Sequence, residues 1–286
     1  MFGLTHGILE SMGGGSKGVW NDIISDGSIS YSGDIIIYSF TSDGSFYFSF
    51  PASIEVSIFV IAGGGGGGYA EEATAGESRA GGGGGAGGVS ITNLTLTANT
   101  PYYAFVGAAS GACTQGNDSI FRDASTELVK AFGGGRGGCG YVTLPDIFAT
   151  SGGSGGGGGA LRLPNPLPAD CNVPGDTSAG TATHYGNGGG RGQNTSSANT
   201  AKGGSGGGAM SAGSTSVGSG AGILLTLTDA STYYAYGGRT WASGYDGLNI
   251  TRGSGGNGAL RDAFGAADVN AGGGQPGIIA IKFKYK

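Results

Sequence analysis

Glycine-rich blocks interrupt the chain along most of its length and restrict its fold more than any other feature. Glycine accounts for 68 of the 286 residues, against a usual share of about 7% in globular proteins. Each glycine inside an α-helix costs roughly 1 kcal/mol relative to alanine, which disfavours a helical domain. Collagen is excluded because glycine does not recur at every third position and proline is scarce. The blocks lie at 63–68, 81–88, 133–140, 152–160, 186–192, 203–208, 253–258 and 272–277.

Two structures are compatible with these glycine blocks. They could be flexible linkers, as glycine-rich chains often are. Alternatively, without Cβ atoms, they could form extended three-fold helices of the polyglycine II type, joined by backbone hydrogen bonds between neighbours. We favour the packed form because eight flexible loops between apolar strands would each oppose folding through their entropy.

Between the blocks, apolar and β-branched residues alternate with polar ones, which predicts half-buried strands. The alternation of Ile54, Val56, Ile58 and Val60 is an example. The fold class expected is therefore all-β: short antiparallel strands and hairpins, packed glycine-rich segments and long loops. A Gly-run, hairpin and YYA pattern occurs twice and suggests a repeated unit. Strands are predicted near 46–50, 54–61, 89–96, 102–106, 119–122, 128–132, 223–227, 233–236 and 278–285.

Composition along the chain suggests two parts. Residues 1–40 contain Trp20 and the apolar run Ile35-Ile36-Ile37, and we interpret them as an N-terminal docking or adaptor segment. An ordinary first strand with a frayed start is the alternative. Residues 41–286 would form a glycine-rich β domain, with a possible sub-boundary near 145–150. Ordering so much glycine requires additional buried area, and we therefore expect a homo-oligomer, a homotrimer in particular.

Charge and hydropathy exclude several partners. The formal net charge is −5, which provides no attraction for nucleic acid, and the two Arg-containing glycine tracts are too few to form an RNA-binding region. No stretch approaches the roughly 20 apolar residues that span a bilayer, so we expect no membrane insertion. The first residues lack a basic region followed by an apolar one, and no signal peptide is expected.

We expect neither a cofactor nor an enzymatic activity. The hexaglycine block satisfies a dinucleotide-binding motif only because every residue is glycine. His184 with Asp170 or Asp176 has no nucleophile placed beside it. No C-x-x-C motif occurs, and two histidines leave little for a zinc site. The cysteines Cys113, Cys139 and Cys171 are interpreted as free thiols, with a Cys113–Cys139 disulfide as the alternative.

Aromatic residues beside the glycine blocks are the candidate binding residues. Exposed rings with Asp and Arg nearby are suited to stacking on sugars or to protein contact. The alternative is that these rings only cap the ends of glycine blocks. The candidates are Arg239, Trp241, Tyr245 and Asp246 in one loop, and Tyr69 and Tyr185 beside glycine runs.

The segment FTSDGSFYFSFPASIEVSIFVIAGGGGGG resembles the start of the glycine-rich domain in bacteriophage tail-fibre and appendage proteins. The segments GGVSITNLTLTANTPYYAFVG and GGGQPGIIAIKFKYK resemble its second hairpin and closing strand, so the resemblance covers about 40–286; the region 145–220 departs from the short form. The resemblance implies a virion appendage near receptor contact. Matching positions are Phe40, Thr41, Gly44, Phe46, Pro51, Ile54, Ile58, Val60 and Gly63.

Three functions are therefore weighed. The first is a virion structural and adhesive protein, a tail-fibre or spike subunit, displayed on the virion surface and released by lysis. Its partners would be other virion proteins through residues 1–40 and a host surface glycan or protein. The second is a capsid or tail decoration protein. The third is an extracellular glycine-rich fibril or an ice-binding protein, although the regular threonine arrays of ice binders do not occur.

Overall fold

The computed structural model is all-β in the residues it describes, which are 23–49, 51–70, 78–140, 148–161, 182–193, 201–214, 218–228, 230–240, 251–262 and 270–284. Within these ranges every regular element is a strand. Their bounds are β1 Ile23–Ser25, β2 Ser28–Ser32, β3 Ile35–Phe40, β4 Gly44–Phe48, β5 Ser53–Ile61, β6 Ser78–Ala80, β7 Val89–Thr97, β8 Tyr102–Phe105, β9 Ser119–Arg122, β10 Glu127–Ala131, β11 Ala160–Leu161, β12 Thr183–Tyr185, β13 Ile223–Thr226, β14 Ser231–Tyr234, β15 Leu260–Asp262 and β16 Ile278–Lys284.

Two antiparallel sheets form a sandwich. One has the order β1-β4-β8-β9-β10, and the other has the order β12-β7-β5-β16-β3-β2. Their facing side chains form the main core, in which Phe48 and Phe121 are fully buried. The alternation predicted for β5 is confirmed, since Ile54, Val56, Ile58 and Val60 all belong to this core.

The other face of the six-stranded sheet also carries an apolar cluster. Ile37, Ile61 and Ile278 from that sheet pack with residues of the hairpin β13–β14, including Ile223 and Tyr234. The central strands of this sheet are thus buried on both faces, which explains why β3 and β16 contain consecutive apolar residues rather than a strict alternation.

Residues 23–40 contribute three strands to the same sandwich. Strand β1 pairs with β4 in the five-stranded sheet, while β3 pairs with β16 in the other sheet. Residues 1–22 lie outside the described residues, and so do residues 145–147 of the sub-boundary predicted near 145–150. A docking role for residues 1–40 stays a prediction.

The glycine segments form a packed body whose hydrogen bonds repeat every three residues. Along 63–68, Gly63 and Gly66 donate their N–H groups to Asn117 and Thr114. The next donors along the segment, at 64 and 67, bond to Gln275 and Gly272, and those at 65 and 68 bond to Gly85 and Gly82. Three successive amides therefore point to three different neighbours, which is the geometry of a three-fold extended helix. The predicted polyglycine II-like packing is confirmed.

The segment 81–88 lies at the centre of this body and is bonded to six neighbouring segments. Its N–H groups donate to three segments, 253–259, 132–138 and 204–207, and its carbonyl groups accept from three others, 62–68, 154–157 and the segment around Gly238. The N···O distances are 2.7–3.1 Å. Six neighbours around one helix is a hexagonal arrangement in which nearly every backbone polar group is satisfied.

The glycine segments continue the strands in the same register. In the β5–β7 pair, Ile61 lies opposite Val89, and beyond the strands Gly65 donates to Gly85 and Gly68 donates to Gly82. The sum of paired residue numbers stays constant from the strands into the glycine body. The β5–β16 and β9–β10 pairs continue likewise, with bonds from 64 to 275, from 67 to 272 and from 116 to 134. The sandwich therefore determines which residues face each other at the start of the glycine body.

The close packing leaves no room for side chains at the interior positions. A Cβ atom added at Gly84 would overlap the carbonyl oxygen of Gly65. Comparable overlaps with a neighbour's backbone carbonyl occur throughout the body, for example at Gly65, Gly68, Gly82, Gly134, Gly157, Gly204, Gly206 and Gly256. Glycine is required at these positions because segments approach each other backbone to backbone.

Candidate functional site

The glycine body ends opposite the sandwich in a small structure that we call the cap. It consists of residues 69–70, Cys113, strands β6, β11 and β15, residues 139–140, 193, 201–202 and the backbone at 239. Strand β6 is the centre of a three-stranded sheet with β11 and β15 on either side. Because a three-fold helix rises about 3.1 Å per residue, the six residues of 63–68 place the cap roughly 20 Å from the end of β5.

The cap is built from small residues and backbone pairing. Ala80, Ala160 and Ala201 form a buried apolar cluster. Ala70 pairs with Gly140 in a parallel bridge, and Gln193 pairs with Lys202 in an antiparallel one. Alanine methyl groups fit where glycine segments begin to separate, so the cap joins the packed body to the chain connections beyond it.

Several chain connections begin and end at the cap. The described residues that flank 71–77, 194–200 and 263–269 all lie at this end of the molecule. The sandwich end is different, because there the turn between β7 and β8 is short and Asn99 donates its N–H to Phe48. The molecule therefore has two unlike ends.

Two of the predicted binding residues lie at the cap, on either side of the segment 256–259. Tyr69 is 44% exposed, and its backbone is fixed by bonds with Cys113 and Gly140. The Arg239 N–H donates to Asn257 Oδ1 at 3.0 Å, and its carbonyl accepts from Gly258. The next residue, Ala259, donates to Gly68, so the glycine segment 256–259 connects the two positions. Trp241, Tyr245 and Asp246 follow Arg239 in the chain but lie outside the described residues.

Tyr185 is separated from these residues by the length of the glycine body. It is the last residue of β12, where it pairs with Val89 at the edge of the six-stranded sheet. Its partly buried ring packs against the apolar cluster that also contains Ile37 and Ile278. The structure therefore does not place Tyr185 with Tyr69 and Arg239.

The cysteines bring a chemically reactive pair to the cap. Cys113 and Cys139 are both free thiols. Hydrogen bonding with the Cys139 side chain and with the Tyr69 N–H, together with the nearby charge of Arg136, lowers the pKa of Cys113 to about 7, although burial opposes the shift. The same pairing and burial raise the pKa of Cys139. Cys171 lies outside the described residues.

His184 is placed in a structural contact. Its Nδ1 lies 2.9 Å from Ser90 Oγ, which also donates to the carbonyl oxygen of Lys130 at 2.8 Å. Ser90 is 2% exposed, so this hydroxyl links β7 to its neighbours and is not presented to a substrate. Asp170 and Asp176 lie outside the described residues.

An open groove at the sandwich end was not anticipated from the sequence. Its volume is about 800 Å³, and its lining includes Glu55, Asn93, Lys282 and Lys284. These polar residues alternate with core residues on their strands and occupy the face that the hairpin β13–β14 leaves uncovered. Their alternation in the sequence was the available signal, since the outward positions of β5, β7 and β16 at this end of the sheet are polar.

No group of three or more metal-ligating side chains occurs within the described ranges. The same part of the chain contains no helix long and apolar enough to cross a membrane.

The comparisons with known proteins concern the family alone. A family model described as a glycine-rich domain matches residues 41–284. A comparison with curated proteins finds no match.

Proposed function

The chain belongs to the glycine-rich domain family, and from this premise we propose that it is a structural and adhesive subunit of a virion, a tail fibre or spike. In this proposal the subunit is displayed on the virion surface, contacts a host surface glycan or protein, and performs no catalysis. Host lysis would release it with the particle. The finer assignment to a bacteriophage appendage comes from the resemblance of the sequence to tail-fibre proteins.

The observation that supports this proposal most is that the N-terminal region and the candidate binding residues lie at opposite ends of the molecule. Ile23, the first described residue, pairs with Phe48, and Phe48 accepts a hydrogen bond from Asn99 in the turn farthest from the cap. Residues 1–22 therefore join the structure at the sandwich end, while Tyr69 and Arg239 lie at the cap. A subunit docked through its N-terminal region would direct its cap away from the particle.

The glycine body is suited to such a role because it is rigid and requires little side-chain chemistry. Each interior segment is held by backbone hydrogen bonds to several neighbours. A binding loop that starts and ends on such a body is held in place at both ends, which lowers the entropy cost of binding. Sequence variation in the loops would leave the packed segments unchanged.

We further propose that the subunits assemble as homotrimers. Strand β2 is an edge of the six-stranded sheet, and its Ile29 and Tyr31 are 39% and 55% exposed. An exposed edge strand with apolar side chains is a natural place for another chain to pair. Light scattering coupled to gel filtration tests the number of subunits, and a monomer at all concentrations would contradict this part of the proposal.

Adsorption measurements test the adhesive role. The purified full-length protein is labelled and added to a panel of intact bacteria and to their purified surface polysaccharides. On a strain that binds the protein, Trp241→Ala and Arg239→Ala should each weaken binding about tenfold or more, because a few aromatic and arginine residues dominate interfaces. The control Phe105→Ala changes a ring that is 43% exposed on β8 of the sandwich and should leave adsorption unchanged.

The alternative functions give different results in the same experiment. Particles that contain the protein and adsorb normally when residues 241–250 are deleted would favour a decoration protein. Binding to none of the surfaces, with the protein absent from purified particles, would contradict the proposal altogether.

A further inference from the structure

The two cap cysteines lie on two different segments, both of which are hydrogen-bonded to residues 66–69. The N–H of Cys113 donates to Gly67 at 2.9 Å, and its sulfur accepts from the Tyr69 N–H at 3.3 Å. Cys139 lies beside Gly140, whose N–H donates to the carbonyl oxygen of Tyr69 at 2.8 Å. The two segments are direct neighbours, since Gly116 donates its N–H to Gly134, and the two sulfurs interact beside the Tyr69 N–H.

The backbone at Cys113 indicates that its side chain is needed there. Its φ angle is +56°, one of three positive values at non-glycine residues among those described. The left-handed conformation costs a side chain roughly 1–2 kcal/mol that glycine avoids. In a chain so rich in glycine, cysteine occupies a position where glycine would avoid this cost, and strained residues of this kind cluster at functional sites.

The surroundings distinguish the two sulfurs in reactivity. Cys113 is partly exposed and Cys139 is buried. The hydrogen-bond donors and the charge of Arg136 favour the thiolate of Cys113, and the thiolate is the form that attacks disulfides.

We propose that Cys113 and Cys139 are a redox-controlled lock, converted to a disulfide by exchange with a small-molecule disulfide such as oxidised glutathione. The Cys113 thiolate attacks one sulfur of the small disulfide, forming a mixed disulfide and releasing one thiolate. Cys139 then loses its proton to solvent, and its thiolate attacks the sulfur of Cys113 and displaces the second small thiolate. The two protein thiols are oxidised by two electrons, and the small disulfide is reduced to two thiols.

The disulfide between Cys113 and Cys139 would cross-link two segments of the cap. Cys113 lies in the connection between β8 and β9, and Cys139 ends the glycine segment that follows β10. A bond between them closes a loop of 26 residues (139 minus 113) and joins the two segments that bond to the backbone of Tyr69. The molecule would fold with free thiols inside a reducing cell and become cross-linked at the cap after release into an oxidising medium.

The test uses full-length protein carrying Cys171→Ser, so that only the cap thiols remain. It is equilibrated in glutathione buffers of increasing oxidised fraction, and then analysed by intact mass and peptide mapping. The expected product has lost two hydrogen atoms, contains a 113–139 cross-linked peptide, and melts about 5 °C or more above the reduced form. Free thiols at the oxidising end, or a stable glutathione adduct without the cross-link, would overturn the proposal.

Single variants separate the two roles without relying on stability. Cys139→Ser should accumulate the glutathione adduct on Cys113, because the second attack is prevented. Cys113→Ser should remain unmodified under the same conditions, since the remaining thiol is buried. Equal labelling of both variants would contradict the assignment of Cys113 as the attacking sulfur, and melting curves of the reduced proteins check that each variant is folded.

Discussion

The sandwich and the glycine body of this protein are both closely packed, but they bury different kinds of atoms. The sandwich buries large side chains, such as Phe46, Phe48 and Phe121, between two sheets. In the glycine body the buried atoms are mostly backbone, and the segments approach until no Cβ fits between them. Hydrophobic burial stabilises the first region, whereas hydrogen bonds and close contact stabilise the second.

The difference shows why the two regions occur together. Ordering a residue's backbone costs roughly 1–2 kcal/mol, while one backbone hydrogen bond contributes a net 0.5–1.5 kcal/mol. A glycine body alone is therefore near or below the limit of stability. The sandwich supplies the missing stabilisation, and its strand pairs start the glycine segments in register, as with Ile61 opposite Val89 followed by Gly65 bonded to Gly85.

The largest effect is expected from a methyl group at the centre of the glycine body. Gly84→Ala would drive its Cβ into the carbonyl oxygen of Gly65, and the segments would have to separate. We expect a loss of at least about 3 kcal/mol in the free energy of unfolding, measured by denaturant titration. In the control Gly111→Ala, the nearest atom to the new Cβ is Thr114 Oγ1 at 3.7 Å. If Gly84→Ala lowered the free energy of unfolding as little as the control does, the central packing would be loose.

A cavity in the sandwich tests whether the glycine body depends on it. Phe121 is fully buried and stacks on Tyr102 with ring centroids 5.8 Å apart. Phe121→Ala should cost about 3–5 kcal/mol and should lower amide protection in 81–88 as well as in the strands. The control Phe105→Ala removes a ring that is 43% exposed and should cost little. Protection that is lost from the strands alone would mean that the two regions unfold independently.

A smaller effect is expected where the two regions meet. The buried Ser119 Oγ accepts from Gly107 N–H at 2.8 Å and donates to the Ile61 carbonyl at 2.9 Å. Ser119→Ala leaves both groups without this partner and should cost about 1–3 kcal/mol. The control Ser28→Ala lies on an exposed edge strand. An unchanged midpoint in the Ser119 variant would argue against a tight junction.

The smallest effect concerns an ion pair beside the junction. Lys130 Nζ lies 2.8 Å from Asp118 Oδ2, and both side chains are partly exposed. Lys130→Ala should cost under about 1 kcal/mol. The difference in the free energy of unfolding between this variant and the native protein should shrink in 1 M NaCl. The electrostatic screening length is only roughly 3 Å at that salt concentration. A larger cost that salt does not change would point to the contact of Lys130 with the Phe132 ring instead.

The sequence permitted prediction of the types of structure but not of their neighbours. Alternation identified β5, and the missing Cβ atoms predicted the packing of the glycine segments. Because glycines are chemically alike, nothing in the sequence indicates that Gly82 donates to Gly138 while Gly83 donates to Gly204. For the region of β3 the sequence left a docking segment and an ordinary first strand open, because the strand is buried on both faces and therefore lacks alternation.

The sequence identified individual candidate residues, but it did not predict which of them lie near each other. Tyr69 and Arg239 were selected as rings and charges beside glycine runs, but the glycine segment that joins them, through Gly258 and Ala259, follows from the packing. Tyr185 had the same local sequence features and lies in a strand of the sandwich. The pairing of Cys113 with Cys139 depends on the same long-range packing, which spacing in the sequence does not reveal.

Hydrogen exchange at the glycine amides tests the central claim most directly. If the glycine body is a hydrogen-bonded lattice, the amides of Gly82, Gly84 and Gly85 should exchange as slowly as those of β5, at rates set by global unfolding. Exchange of these amides at the rate of an unstructured glycine peptide, while β5 remains protected, would contradict the account.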